Sequence, residues 1–259
     1  MLLASPIPAF DDNYIWLLRR ENGLRAAVVD PGDAAPVLDR LDRDALELEA
    51  ILITHKHWDH IGGIPELKAR WPDAVVYGPA NEPIKGLEVL LAEGDEVLLH
   101  AGDTCFKVLD VPGHTEGHIA YYGETLLFCG DTLFAGGCGR VFNGTLAQLY
   151  HSLRKLAELP AHTLVYCAHE YTLDNLGFAA WVEPGNEALK ARLVATRQYR
   201  EAGEPTVPSV LALEMLTNPF LRVDEPTVRA AAEKWAGKPL ESGEEIFRAL
   251  RAWKDKEYD

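Results

Sequence analysis

The chain has 259 residues, 47% of them hydrophobic and 25% charged, and a formal net charge of −15; this suits one large domain or a domain with an appendage, and excludes disordered and collagen-like classes. A surface this acidic repels phosphate backbones, so nucleic acid is not expected as a partner, and an anionic small molecule would need placed cations to bind. No apolar run approaches the ~20 residues that span a bilayer, the first ten residues lack a basic start and a cleavage site, and Cys105, Cys129, Cys138 and Cys167 form no C-x-x-C pair, so a cytoplasmic chain with reduced thiols and no membrane contact is expected.

In chain order, residues 13–20 form an apolar run, Glu21-Asn22-Gly23 is a turn signal, and residues 24–30 form a second apolar run. This predicts a hairpin. Residues 34–46 have helical spacing, with Asp33 as N-cap. Residues 49–54 read as a short buried strand that stops at a histidine cluster, and a helix restarts over 61–71. Short strands are predicted at 74–77, 96–99, 105–111, 119–122 and 125–129, then a helix over 146–159 and a strand at 163–167. Beyond Tyr171 only helices are predicted, at 173–181, 186–202, 210–216, 226–235 and 244–254. The fold class is therefore α+β, with a domain over residues 1–172 and an α-helical domain over residues 173–259.

Three of the nine histidines fall within six residues, in Thr54-His55-Lys56-His57-Trp58-Asp59-His60. In an extended segment alternate residues point one way, so His55, His57 and Asp59 are predicted on one side. The turn into the next helix would bring His60 round. Four imidazole and carboxylate donors packed so closely strain a single tetrahedral ion, and two ions sharing the segment are the easier geometry. Further donors must come from elsewhere. His114, Asp131 and His169 each follow a short apolar strand, so all three can reach one edge. His118 reads as a supporting residue beside His114, while His100, His151 and His162 read as surface or packing residues. Gly136-Gly137-Cys138-Gly139 lacks the frame of a phosphate loop, and no G-x-S-x-G is present.

With His114, Asp131 and His169 downstream, the segment from Thr54 to His60 resembles the metallo-β-lactamase superfamily. Asp12-Asn13-Tyr14-Ile15-Trp16, Phe134 to Arg140, His169-Glu170-Tyr171-Thr172, Asn218-Pro219-Phe220-Leu221-Arg222 and Arg251-Ala252-Trp253-Lys254-Asp255 narrow the resemblance to glyoxalase II, the hydroxyacylglutathione hydrolases. The resemblance implies an αββα sandwich with metals at one edge. It implies one metal site from His55, His57, His114 and Asp131, and a second from Asp59, His60, His169 and the same Asp131. Two divalent ions follow, expected to be zinc, with iron or manganese equally suited to such donors. Glutathione contacts are implied at Arg140, Phe142, Tyr171, Arg251 and Lys254. Phe142 stands where many relatives carry tyrosine, so one hydrogen bond is lost.

The implied reaction is hydrolysis of S-(D-lactoyl)glutathione, and of other 2-hydroxyacyl thioesters, to glutathione and the hydroxy acid, the second step of methylglyoxal detoxification. Two close cations would acidify a shared water, and the resulting hydroxide, oriented by Asp59, would attack the thioester carbonyl. The alternatives are another hydrolase on this scaffold, such as a lactonase, β-lactamase or different thioesterase, or a non-hydrolytic di-iron redox module. Arg251 and Lys254, three apart on the last helix, argue for a carboxylate-bearing ligand. Deleting the chain from about Glu244 would then raise KM and leave metal content intact. No segment marks an obligate interface, so a monomer is expected.

Overall fold

The computed structural model describes residues 1–100 and 103–258. Two six-stranded sheets form its centre. The first runs in the order β1 (Leu2–Ala9), β2 (Asn13–Arg20), β3 (Arg25–Val29), β4 (Glu47–Leu52), β5 (Val75–Pro79) and β6 (Val89–Leu91). The second runs β14 (Ser209–Val210), β13 (Leu164–Cys167), β10 (Leu126–Gly130), β9 (Ile119–Gly123), β8 (Thr104–Asp110) and β7 (Glu96–Leu99). Both are mixed, so the sandwich expected from the resemblance is present.

The continuous apolar runs of β2, β3 and β4 are explained by burial on both faces. Leu17, Val28 and Ile51 face outward and pack with Val37 and Leu41 of α1 (Ala35–Asp44) and with Ile64 and Leu67 of α3 (Ile64–Arg70). The alternate residues Trp16, Leu18, Val29 and Leu52 join the core shared with the second sheet. The Trp16 ring meets the Tyr166 ring edge-on at 4.8 Å, and its Nε1 donates to the Cys167 carbonyl at 2.9 Å. The second sheet is covered on its far side by Leu149, Leu153 and Leu156 of α4 (Leu146–Ala157). That helix starts with a capping box between Thr145 and Gln148.

Several expectations need correction. The N-terminal residues pair as β1, an edge strand, which is where Pro6 and Pro8 are tolerated because no further strand needs their amides. The N-cap of α1 is Ala34, and Asp33 instead accepts the Ala35 N–H at 3.0 Å from one residue earlier. The helix predicted over 61–71 is two helices, α2 (Trp58–Ile61) and α3, broken at Gly62 and Gly63. A close approach demands glycine here: a side chain at Gly62 would lie 2.4 Å from the Gly32 carbonyl oxygen, and one at Gly32 would lie 1.8 Å from that of Asp59. The helical region is also not free of strands. After α5 (Thr172–Val182) and α6 (Glu187–Glu201), β14 pairs with β13 at the edge of the second sheet.

The last helices, α7 (Leu211–Thr217), α8 (Pro226–Ala236) and α9 (Gly243–Trp253), pack against the same core. Ile246, Phe247 and Leu250 of α9 are buried there, and Phe247 meets Tyr150 of α4 at 5.8 Å. The chain ends in a π-turn, Lys254–Tyr258. Among the described residues, no helix is long and apolar enough to cross a membrane.

Candidate metal centre

Strand direction explains why the predicted donors meet. β3 and β4 run parallel, so Asp30 and the segment from Thr54 to His60 leave the first sheet at one end. β8 and β10 both run antiparallel to β9, and β13 runs parallel to β10, so His114, Asp131 and His169 leave the second sheet in one direction. The two edges are laced together. Tyr14 N–H donates to the Ala168 carbonyl at 2.7 Å, and Ile119 N–H to that of Thr54 at 3.0 Å.

The seven side chains form two donor groups that share Asp131. In the first, Nδ1 of His57 lies 3.0 Å from Nε2 of both His55 and His114. Asp131 Oδ2 lies 3.4 Å from His114 Nε2 and 4.0 Å from His55 Nε2. In the second, His60 Nε2 is 3.4 Å from Asp59 Oδ2 and 3.6 Å from Asp131 Oδ2. His169 Nε2 is 3.6 Å from Asp59 Oδ2 and 3.4 Å from Asp131 Oδ1. The expected alternation therefore holds for His55 and His57 only. The chain turns helical at Trp58, so Asp59 and His60, adjacent in sequence, join the other group.

These spacings test the fit of a cation. A tetrahedral ion with bonds of about 2.1 Å holds its donors about 3.4 Å apart, and most of the measured separations cluster there. His60 Nε2 and Asp131 Oδ1 are buried with no hydrogen-bond partner, which is costly unless something else completes them. The donor set of imidazoles and carboxylates suits a divalent first-row metal.

Three of the five donor imidazoles are oriented from behind by a carboxylate or carbonyl. His60 Nδ1 faces Asp30 Oδ2 at 3.1 Å, His169 Nδ1 faces Asp12 Oδ1 at 2.8 Å, and His114 Nδ1 donates to the Arg140 carbonyl at 2.8 Å. Asp30 is itself held by the Thr54 N–H at 2.8 Å and hydroxyl at 2.7 Å, and it orients His60 from below, where Asp30, His55 and His60 also come together as a third cluster of donor atoms. Asn13 Nδ2 donates to Asp59 Oδ2 at 3.1 Å. His118 accepts the Asp131 N–H on Nε2 at 3.2 Å and stacks on His55 at 4.6 Å, matching its expected supporting place. Sequence reasoning missed Asp12, Asn13 and Asp30. Asp30 had a signal, since it ends an apolar strand as the other donors do.

Charge follows the same map. Burial works against the His169 imidazolium, yet the Asp131 carboxylate and the hydrogen bond to Asp12 lift it to about 9. Burial lowers His55 well below the usual histidine range, with the His60 charge adding to it. Burial also opposes ionisation of Asp59, but the hydrogen bond and charge of His60 hold its carboxyl well below the ordinary range. Burial pushes the Cys167 thiol to about 12 and the Cys138 thiol to about 11, so neither offers a thiolate at neutral pH.

The donors floor a cavity of roughly 720 Å³, and all five predicted substrate contacts line it: Arg140, Phe142, Tyr171, Arg251 and Lys254. Tyr171 stacks flat on His169, 4.8 Å between centroids. Phe142 is exposed and meets His57 and His114 edge-on at 5.0 and 5.1 Å. Arg251 and Lys254 are 1% and 5% exposed, deeper than a solvated helix face implies. Arg251 donates to Asp255 through Nε at 3.0 Å and Nη2 at 2.8 Å, and to the Cys138 carbonyl at 3.1 Å. Lys254 Nζ lies 3.2 Å from Asp174 Oδ2. The glycine segment 136–139 covers the end of the turn and the second strand of a small hairpin, β11 (Leu133–Phe134) with β12 (Gly137–Cys138), and Gly136 adopts φ 73° in the turn. Glu214 accepts the Gly136 N–H at 2.8 Å and Asn218 donates to the Gly137 carbonyl at 2.9 Å, so the helical region fixes this cavity wall. His100, paired with Glu49 at 2.6 Å, and the exposed His151 and His162 stand outside the donor groups.

The sequence model of the metallo-β-lactamase superfamily matches residues 9–169, and that of the hydroxyacylglutathione hydrolase C-terminus matches residues 170–257. A hydroxyacylglutathione hydrolase of Pseudomonas fluorescens (strain SBW25) is 53% identical over 257 residues, 99% of this chain and 100% of the relative. The solved structure of ETHE1 from Myxococcus xanthus superposes with a TM-score of 0.67 at 27% identity, covering 96% of this chain and 89% of that one. TTHA1623, solved in a di-iron-bound form, superposes with a TM-score of 0.59 at 26% identity, covering 85% of this chain and 100% of that one.

Proposed function

The chain belongs to the hydroxyacylglutathione hydrolases of the metallo-β-lactamase superfamily, and from that premise we propose that it hydrolyses S-(D-lactoyl)glutathione and related 2-hydroxyacyl thioesters to glutathione and the free hydroxy acid. One observation carries the proposal. Members of both donor groups (His57, His114 and Asp131; Asp59 and His169) and the cations Arg140, Arg251 and Lys254 line a single cavity, which supports one ligand meeting both. A neutral lactone offers no carboxylate for that cationic wall, and the C-terminal sequence match to the hydroxyacylglutathione hydrolases favours a glutathione thioester over a β-lactam.

His55, His57, His114 and Asp131 would hold one divalent ion, and Asp59, His60, His169 and Asp131 the other. Such ions, here zinc by expectation with iron or manganese suited to the same donors, supply Lewis acidity that lowers the pKa of water and polarises a carbonyl. Asp131 stands between the groups, its Oδ2 facing His114 of one and His60 of the other and its Oδ1 facing His169, and His118 fixes its backbone through the Asp131 N–H. Asp59 stays ionised at neutral pH, so its carboxylate accepts hydrogen bonds and orients the attacking water. Tyr171 remains protonated, because burial and the charges of Asp12, Asp131 and Asp59 raise its pKa, and its hydroxyl is available to donate to the glutathione moiety. Arg140, Arg251 and Lys254 offset the overall negative charge where the ligand carboxylates bind. The leaving thiol has a pKa of about 8.5, so it departs as thiolate with no dedicated acid. A cytoplasmic monomer is the proposed working state, and free cysteines, three of the four buried, suit a reducing compartment.

The test is steady-state hydrolysis of S-(D-lactoyl)glutathione by purified protein, with metal analysis of the same sample. Turnover with about two metal ions per chain is the expected result. No turnover by metal-replete protein overturns the substrate while sparing the family.

A further inference from the structure

The cavity wall that would receive a ligand carboxylate already holds carboxylates of its own. Lys254, buried apart from its access to the cavity, has its Nζ 3.2 Å from Oδ2 of Asp174. Asp174 is 58% exposed at its side chain and also lines the cavity, at the start of α5. Arg251 shares Asp255 with Arg140, whose Nε is 3.8 Å from the same oxygen. Asp255 does not line the cavity, whereas Asp174 does.

An anion that approaches Lys254 from the cavity therefore competes with Asp174, which lines the same cavity. It must share the ammonium with Asp174 or displace it, and in a partly dehydrated site two carboxylates on one ammonium repel. A thioester of glutathione and glutathione itself carry the same carboxylates. Contacts to these groups bind substrate and product alike and do not favour the transition state. Unopposed, the cationic wall would hold product as firmly as substrate.

Building on the glutathione-thioester reading above, we propose that Asp174 is a residue that tunes affinity for the glutathione moiety. It is a resident counter-ion of Lys254 that weakens binding of the glutathione moiety and so speeds release of product. Its side chain is exposed in the first turn of α5, so Asp174→Asn gives up a carboxylate–helix-dipole interaction without disturbing the core.

The experiment measures KM for S-(D-lactoyl)glutathione and the inhibition constant of glutathione for wild type, Asp174→Asn and Asp174→Glu, each with metal content determined. The inhibition constant matters because KM reports affinity only when chemistry is slow. In Asp174→Asn both values are expected to fall together, roughly three- to tenfold, with unchanged metal content, and added salt narrows the difference. Asp174→Glu keeps the charge and is expected to stay near wild type. In a Lys254→Met background the Asp174→Asn effect disappears if it acts through Lys254. Unchanged or raised values in Asp174→Asn, or an effect that persists without Lys254, overturn the assignment. Failure of wild type to hydrolyse any glutathione thioester overturns the functional reading and this one with it.

Discussion

Oδ2 of Asp30 and Nδ1 of His60 lie 3.1 Å apart beneath the second donor group, and this buried contact decides which nitrogen of His60 faces Asp131. Asp30→Asn removes the charge that fixes that tautomer. Affinity of the second group for metal should fall about 10- to 100-fold. Metal stoichiometry after dialysis is then expected to drop toward one ion per chain, with activity falling in step. Full retention of both ions would assign Asp30 to packing alone.

Removing metal should loosen the fold as well as abolish turnover. Without an ion, His60 Nε2 and Asp131 Oδ1 stay buried and unsatisfied, and the two sheet edges lose a shared anchor. A ligand that binds only the native state stabilises it by several kcal/mol at concentrations far above its Kd. Chelated protein should therefore melt several degrees lower, and added zinc should restore both melting temperature and activity.

Phe142 is 66% exposed at the cavity mouth, so a hydroxyl can be added without strain. Phe142→Tyr is expected to lower KM about two- to fivefold with kcat unchanged, the value of one modest hydrogen bond to bound ligand. A change in kcat alone would place residue 142 near the chemistry instead.

Deletion of α9 cannot isolate ligand binding, contrary to the expectation from sequence. Ile246, Phe247 and Leu250 are wholly buried in the main core, and each contributes about 2 kcal/mol. The truncated chain should fail to fold. Lys254→Met is the better probe, with KM for S-(D-lactoyl)glutathione expected to rise about tenfold at unchanged metal content.

Acid should weaken the helical region through Glu183. This carboxylate accepts from Arg222 Nε at 2.7 Å and from the Thr227 hydroxyl at 2.7 Å. Burial raises its pKa, but the bonds to Arg222 and Thr227 outweigh that and hold it below the usual value. Its folded pKa lies below its unfolded one, so its stabilisation is complete above about pH 4.3 and is lost as pH falls through the native value. Melting temperatures between neutral pH and pH 3 should fall less steeply for Glu183→Gln than for wild type, from a lower neutral starting point.

The metal donors were legible because their pattern is local. H-x-H-x-D-H announces itself, and His114, Asp131 and His169 each follow a strand that reads as apolar. The residues that orient them were not, since Asp30 reaches His60 across 30 positions and Asp12 reaches His169 across 157. The break between α2 and α3 was hidden for a similar reason. Apolar spacing continues through Gly62 and Gly63, and the need for glycine there comes from the backbone of Gly32 arriving from another loop. The cationic wall was legible as residue types, but its partners Asp174 and Asp255 emerge only when α5, α9 and the terminal turn are packed together.

Each donor group draws on both sheets, and this has a consequence for the chain during its synthesis. The first sheet supplies His55 and His57 to one group and Asp59 and His60 to the other, while the second sheet supplies His114, Asp131 and His169. Neither sheet carries a full set, so a half-made chain cannot hold metal in either place. The first group has all its members once translation passes Asp131, whereas the second waits for His169. Because β10, which leads into Asp131, is itself paired with β13, which leads into His169, both groups depend on the same docking of the two sheets.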